Sequence, residues 1–182
     1  MTEIAPTERA AAFRFTFPEN EHSYVVVDAF DNGSFVKVIP SENKIIGYTT
    51  KNNGGVPENF KNYFVLVFDK PFTYTAAVTN GNIDTNRLEA KDNHAGAMIG
   101  FKTRKGEQVN VRVASSFISP EQAELNLKEL GTDNIDRIAA KGRQTWNDVL
   151  DASKWKMTIS TICVLSIPAF TVRCFSHGVS MK

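Results

Sequence analysis

Three histidines, two cysteines and a scatter of carboxylates are the groups in this 182-residue sequence that could move protons or hold a metal. His22, His94 and His177 lie far apart, and none is spaced with a second ligand. Neither a His-x-x-x-His helical face nor a Cys-x-x-Cys pair is present, so the usual sequence signs of zinc are missing. His94 follows Asp92 and Asn93 in a polar stretch and reads as a solvated loop residue. Asp28 and Asp31 could imitate the two carboxylates of a glycosidase, but around a turn they are better suited to capping it through Asx hydrogen bonds. Asn52-Asn53-Gly54-Gly55 lacks the Lys-Ser/Thr that completes a phosphate loop. Asn32-Gly33-Ser34 matches a glycosylation acceptor, yet it sits where a tight hairpin turn is expected. Lys102, Arg104 and Lys105 make a basic turn without the aromatic platform that nucleic-acid binding needs. No nucleophile elbow is present. The residues alone assign no catalytic group and no metal ligand, and substrate-binding residues stay unknown.

The elements that would have to position such groups are mostly strands. Phe13, Phe15 and Phe17 alternate with Arg14 and Thr16, the period of a half-buried strand. Tyr24 to Phe30, Phe35 to Ile39, Ile45 to Thr50, Tyr63 to Phe68, Phe72 to Val78 and Ala97 to Thr103 are further candidates. Pro40 closes one of them, because proline cannot donate to a central ladder. Asp31-Asn32-Gly33 and Arg104-Lys105-Gly106-Glu107 are expected to be hairpin turns, the second followed by alternating Val109, Val111 and Val113. Asn80 to Ala95 is polar and reads as a loop. The period then changes. Ser119-Pro120-Glu121-Gln122 combines an N-cap, a first-position proline and the Gln of a capping box. A short helix ending at Gly131 follows, then a second from about Asn134 to Leu150 with Ile135, Ile138, Ala139, Trp146, Val149 and Leu150 on one stripe. The fold class expected is mainly β, an antiparallel sandwich followed by two C-terminal helices.

Composition restricts partners. The net charge of +1 gives no reason to expect nucleic acid, and the apolar run Met157–Val172 is too short to span a bilayer. Charge is uneven, with 17 basic against 19 acidic residues up to Leu150 and four against one after it. Cys163 and Cys174 both lie in that last part. The N-terminus has no basic region leading into an apolar stretch, so no signal peptide is read there, and the chain as it stands would remain cytoplasmic.

Several long stretches carry a resemblance. They are Arg9-Ala10-Ala11-Ala12-Phe13-Arg14-Phe15-Thr16-Phe17-Pro18, the run from Ser23 through Ile39, Ile45 through Tyr74, and Ala95 through Leu130. The third includes Gly54-Gly55-Val56-Pro57-Glu58-Asn59-Phe60-Lys61-Asn62-Tyr63-Phe64. Together they resemble the family 92 glycoside hydrolases of Bacteroides-type bacteria over about residues 3–150. The resemblance implies a parent that is an exo-acting, calcium-dependent, inverting α-mannosidase, often α-1,2-specific, acting on mannose-rich glycans. It implies a galactose-mutarotase-like N-terminal sandwich joined by helices to an (α/α)₆ barrel, and an exported parent. The family's early glycine-rich sugar-binding segment would precede Met1. Its catalytic acid, base and most calcium contacts would follow Leu150, so none of the family's catalytic residues is carried over.

The expected organisation is a partial sandwich over 1–118, a helical linker over 119–150 and a poorly ordered tail over 151–182 that departs from the family. A single-base deletion after Leu150 would explain the charge switch and both cysteines together. On this reading the chain is a non-catalytic fragment that needs no cofactor of its own. Its exposed sheet edges could drive self-association. The alternative is a stand-alone carbohydrate-binding or interaction module, which would need exposed aromatic platforms.

Overall fold

The computed structural model describes residues 1–151 together with the strands Val164–Ile167 and Phe170–Arg173. In chain order the first part holds β1 (Thr2–Pro6), β2 (Ala10–Phe17), β3 (Asn20–Asp28), β4 (Ser34–Ile39), β5 (Lys44–Thr49) and β6 (Asn62–Phe68). Then come β7 (Tyr74–Thr79), β8 (Asn82–Asp84), β9 (Glu89–Asp92), β10 (Ala95–Thr103), β11 (Glu107–Ser116), α1 (Pro120–Asn126) and α2 (Ile135–Asp151). A seven-stranded antiparallel sheet, ordered β1-β2-β11-β6-β5-β4-β9, packs against a four-stranded one, ordered β3-β10-β7-β8. The mainly β sandwich read from the sequence is therefore the fold.

The alternation along the strands explains the layers. Phe13, Phe15 and Phe17 of β2, Phe64, Leu66 and Phe68 of β6, and Val109, Val111 and Val113 of β11 all face the space between the sheets. There they meet Ala77, Ala97, Ile99 and Phe101 of the smaller sheet. Ile45 and Ile99 are 0% exposed, and burying each such side chain contributes roughly 1.5–3 kcal/mol. The opposite face of the large sheet carries Ala5, Ala10, Ala12, Val65 and Ala114. Their small side chains let Ala123, Leu130, Ile135 and Ile138 pack close.

Two expected hairpins turn out to be corners between sheets. β3 and β4 belong to different sheets, and so do β10 and β11. The turn chemistry is as expected, with Asn32 at φ 72°, Gly33 at φ 100° and the Glu107 amide donating to the Arg104 carbonyl at 3.0 Å. What local sequence cannot reveal is that each turn redirects the chain to a new layer instead of back onto its own strand. Thr103 donates to the Pro18 carbonyl at 2.8 Å and receives the Ser23 hydroxyl at 2.7 Å. The Gly106 amide donates to the Phe17 carbonyl at 3.0 Å, so the β2–β3 and β10–β11 corners are bonded together.

Other differences are smaller. The stretch read as a loop from Asn80 to Ala95 contains β8 and β9, whose side chains are largely exposed and so lack an apolar rhythm. β1 pairs with β2 although it carries little hydrophobic signal. Ser119 caps α1 by accepting from the Gln122 amide at 3.2 Å. The Gln122 side chain, expected to reach back to the cap, instead donates to Asn126 at 2.9 Å. Along α2, Ile135 and Ile138 are buried, whereas Trp146, Val149 and Leu150 of the expected stripe are exposed.

The chain divides into two units, Met1–Trp146 and Asn147–Lys182. In the second, Val164–Ile167 and Phe170–Arg173 pair antiparallel. The expected disorder and changed reading frame of the tail otherwise fall outside the described residues.

Arg14 ties three elements of the first unit. Its guanidinium donates to Glu3 at 2.7 and 2.9 Å and, in a second fork, to both oxygens of Asp136 at 2.9 Å. This joins β1, β2 and α2 through one planar group, which lysine could not reproduce. The Arg14 bonds hold the carboxyls of Glu3 and Asp136 below their ordinary values. A depressed folded-state pKa gives stability that is full above the unfolded value, about 4, and lost as pH falls through the folded one. We expect Arg14→Met to lower Tm at pH 7 and to flatten the fall of Tm between about pH 5 and 2. Thermal melts across that range check this, and an unchanged slope would count against the clamp.

Candidate functional site

One end of the sandwich gathers the polar groups that the sequence marks for scrutiny. Asp28 closes β3, and its carboxylate accepts from the Phe30 amide at 2.8 Å, the Asx turn expected of it. The same oxygen lies 2.7 Å from His94 Nε2, so the loop before β10 brings these residues together although 66 positions separate them. Asn80 Nδ2 donates to Asp92 at 3.0 Å, and the His94 amide donates to Asn80 Oδ1 at 3.2 Å. Asp31 accepts from Lys51 at 2.6 Å. The cluster is open to solvent, with the Asp28 and His94 side chains 50% and 44% exposed.

Two of its carboxyls, Asp31 and Asp92, are drawn toward the ionised form. An inverting glycosidase needs one carboxyl kept protonated opposite one kept ionised. Lys51 lowers the pKa of Asp31, and the Asn93 amide followed by Asn80 lowers that of Asp92. Elsewhere Lys70, then the Arg104 amide, lower Glu107. Every described carboxyl with a resolved shift moves toward the ionised form. Among the described residues, no three His, Cys, Asp or Glu side chains converge as metal ligands would.

The remaining sequence candidates are accounted for locally. His22 is exposed, and its amide donates to Asn20 at 2.8 Å. Asn52 accepts from the Gly54 amide at 2.8 Å and holds its own loop. Ser34, the hydroxyl of the glycosylation-like triplet, is 2% exposed. It donates to the Phe30 carbonyl and accepts from the Ala95 amide, both at 2.8 Å, and so fastens the β3–β4 corner. Lys102 pairs with Glu21 at 2.7 Å, and the basic turn lies among Glu19, Glu21 and Glu107. His177 falls outside the described residues.

A feature missed in the sequence lies on the outer face of the small sheet. Gly100 of β10 pairs with Tyr24 of β3 on one side and Tyr74 of β7 on the other. A Cβ on Gly100 would come within 1.8 Å of the Tyr74 ring. The ring therefore occupies the space that a side chain at Gly100 would take, a cross-strand cover for a residue without one. Tyr24 beside it is 57% exposed, while burial raises the pKa of the Tyr74 phenol. The signal was the glycine inside a strand, but the pairing register that aligns it with two tyrosines is not visible along the chain.

Comparison with known proteins places this architecture. Residues 1–116 match the glycosyl hydrolase family 92 N-terminal domain. The chain belongs to that family. Among solved structures, a family 92 inverting mannosidase of Bacteroides thetaiotaomicron aligns at 37% identity and TM-score 0.79, over 82% of this chain and 20% of its own. A family 92 α-mannosidase of the same species aligns at 29% identity and TM-score 0.73, over 82% and 22%. A third family 92 glycosyl hydrolase, at 20% identity and TM-score 0.71, shares the fold. The chain thus spans about a fifth of the length of these enzymes. No curated protein matches.

Within this family 92 domain, Gly100→Val should expel the Tyr74 ring and destabilise the fold by about 1–3 kcal/mol, the usual range for overpacking. Urea unfolding and tyrosine near-ultraviolet dichroism check both effects. A variant of unchanged stability and spectrum would contradict the packing described.

Proposed function

We propose that this chain is part of the N-terminal sandwich of a calcium-dependent, inverting exo-α-mannosidase that acts on α-1,2-linked, mannose-rich glycans, and that the chain alone does not catalyse. The observation that carries this reading is the 37% identity to an inverting mannosidase across 82% of this chain. Inversion requires an acid and a base held across the glycosidic bond with room for a water. Asp31, Asp92 and Glu107 are paired with cations or amides and drawn toward the ionised form, which suits solvated structural groups better than a catalytic acid. The acid, the base and the calcium ligands belong, on this reading, to parts of the parent beyond this chain. An exported parent fits a body, residues 1–150, that carries no cysteine.

A second reading, a sugar-binding module, is favoured by the Tyr24–Gly100–Tyr74 surface, because flat aromatic faces accept the apolar side of a pyranose. It rests on that surface alone and stands second to the first reading. Calorimetric titration of the chain with α-1,2-mannobiose, followed by assay of the mixture for free mannose, separates the two. The leading reading predicts neither heat above dilution nor mannose. Heat abolished by Tyr24→Ala would establish the module, and mannose release would show that the chain is itself an enzyme.

A further inference from the structure

Asn-Gly occurs three times in the chain, at Asn32-Gly33, Asn53-Gly54 and Asn80-Gly81. The pair is chemically reactive, because glycine has no side chain to shield its nitrogen from the asparagine amide before it. Reaction needs two freedoms. The asparagine side chain must swing over the next peptide, and that peptide's N–H must be free to lose its proton. The fold grants them unequally. Asn80 is held at both ends of its side chain, Nδ2 donating to Asp92 at 3.0 Å and Oδ1 accepting from the His94 amide at 3.2 Å. At the β3–β4 corner the Asn32 side chain is exposed, but the Gly33 amide donates to the Asn93 carbonyl at 2.9 Å. The Gly33 carbonyl accepts from the Thr50 amide at 3.0 Å, so freeing this peptide opens the corner. Asn53 differs. It lies in the exposed stretch 51–59 between β5 and β6, and among the described residues its side chain has no hydrogen bond. The Gly54 amide donates only to Asn52 Oδ1, at 2.8 Å, and Asn52 Nδ2 donates to the Thr50 carbonyl at 2.9 Å. These bonds are local, and breaking them disturbs neither sheet. Gly54 and Gly55 have φ of 94° and 74°, and no atom lies within 4 Å of where a Cβ on either would stand, so the loop has room to turn.

We propose that Asn53 is a site of spontaneous covalent modification, converted to aspartate and isoaspartate ahead of Asn32 and Asn80, and that Asn52 is its brake. The Gly54 nitrogen gives its proton to hydroxide and attacks Asn53 Cγ. A new N–Cγ bond closes a succinimide ring, the Cγ–Nδ2 bond breaks, and ammonia leaves. Water then opens the ring. Cleavage of N–Cγ yields aspartate, and cleavage at the main-chain carbonyl yields isoaspartate, in which the chain runs through the former side chain. One water is consumed and one ammonia released, without oxidant or cofactor. Asn52 is a positioning residue in this scheme, since the Gly54 N–H must leave its carbonyl before the proton is lost. Either product adds a negative charge to the loop. This inference does not rest on the mannosidase reading, and either can fail without the other.

The test incubates the full chain in mildly alkaline buffer, folded and in urea, and follows each asparagine by peptide mapping against an unincubated control. Lys51 and Lys61 flank the site, so trypsin releases it apart from Asn32 and Asn80, and electron-transfer fragmentation separates aspartate from isoaspartate. In urea the three Asn-Gly pairs should convert at comparable rates, because only the fold distinguishes them. In the folded chain we expect Asn53 to lead the other two by about tenfold, the factor that one further opening of hydrogen-bonded structure imposes. Asn52→Ala should speed conversion of Asn53 by roughly three- to tenfold, the factor set by the net strength of one hydrogen bond, and leave Asn32 and Asn80 unchanged. Folded chain in which Asn32 or Asn80 converts first, in which all three keep step, or in which Asn53 stays intact would overturn the proposal. So would an Asn52→Ala chain that converts no faster.

Discussion

Burial of the large sheet on both faces is the constraint on which the rest of the molecule depends. β2 and β11 each alternate aromatic or branched residues toward the small sheet with small or polar residues toward the helices, and β6 sets Phe64, Leu66 and Phe68 on the first side and Tyr63, Val65 and Val67 on the second. A one-residue slip in any of them would exchange the two sets. Phenylalanines would then meet α1, and alanines would face a gap between the sheets. The register of three central strands therefore fixes both the thickness of the sandwich and the approach of the helices.

The corners follow from that arrangement. Inner side chains of both sheets must face each other, so the chain crosses between layers instead of folding back as consecutive hairpins. Ser23, Thr103 and Ser34 are buried hydroxyls that occupy these crossings, each satisfied by backbone or by one another. The helical side has its own polar fastening. Glu129 is partly buried, which works against its charge, yet the Arg9 amide and the Thr7 and Arg9 side chains together hold it ionised. With the Arg14 clamp, it attaches the segment after β11 to the first two strands.

Much of this was legible in the sequence, and the exceptions share a cause. Alternation located the inner strands because their two faces differ, and the Ser119-Pro120 pair located α1 because capping is local. β8 and β9 were invisible because exposed strands need no apolar rhythm. The corners were misread as hairpins because φ-tolerant residues mark a reversal without specifying which strand lies beyond it. Exposure of Trp146 shows the same limit from another side, since an amphipathic stripe says that a face is apolar but not what covers it. For the site, Asp28 and His94 were each visible, but their contact is a product of β3–β10 pairing and could not be read from spacing.

On the reading proposed above, the unit Met1–Trp146 supplies a scaffold to an inverting mannosidase whose chemistry lies elsewhere. The direct measurement is a chimera in which this unit replaces the aligned segment of the Bacteroides inverting mannosidase. It is assayed on α-1,2-mannobiose with the anomer of the released sugar read by proton NMR. The expected result is release of β-mannose by the chimera and none by the unit alone. A folded chimera that releases no mannose, or releases the α-anomer first, would contradict it.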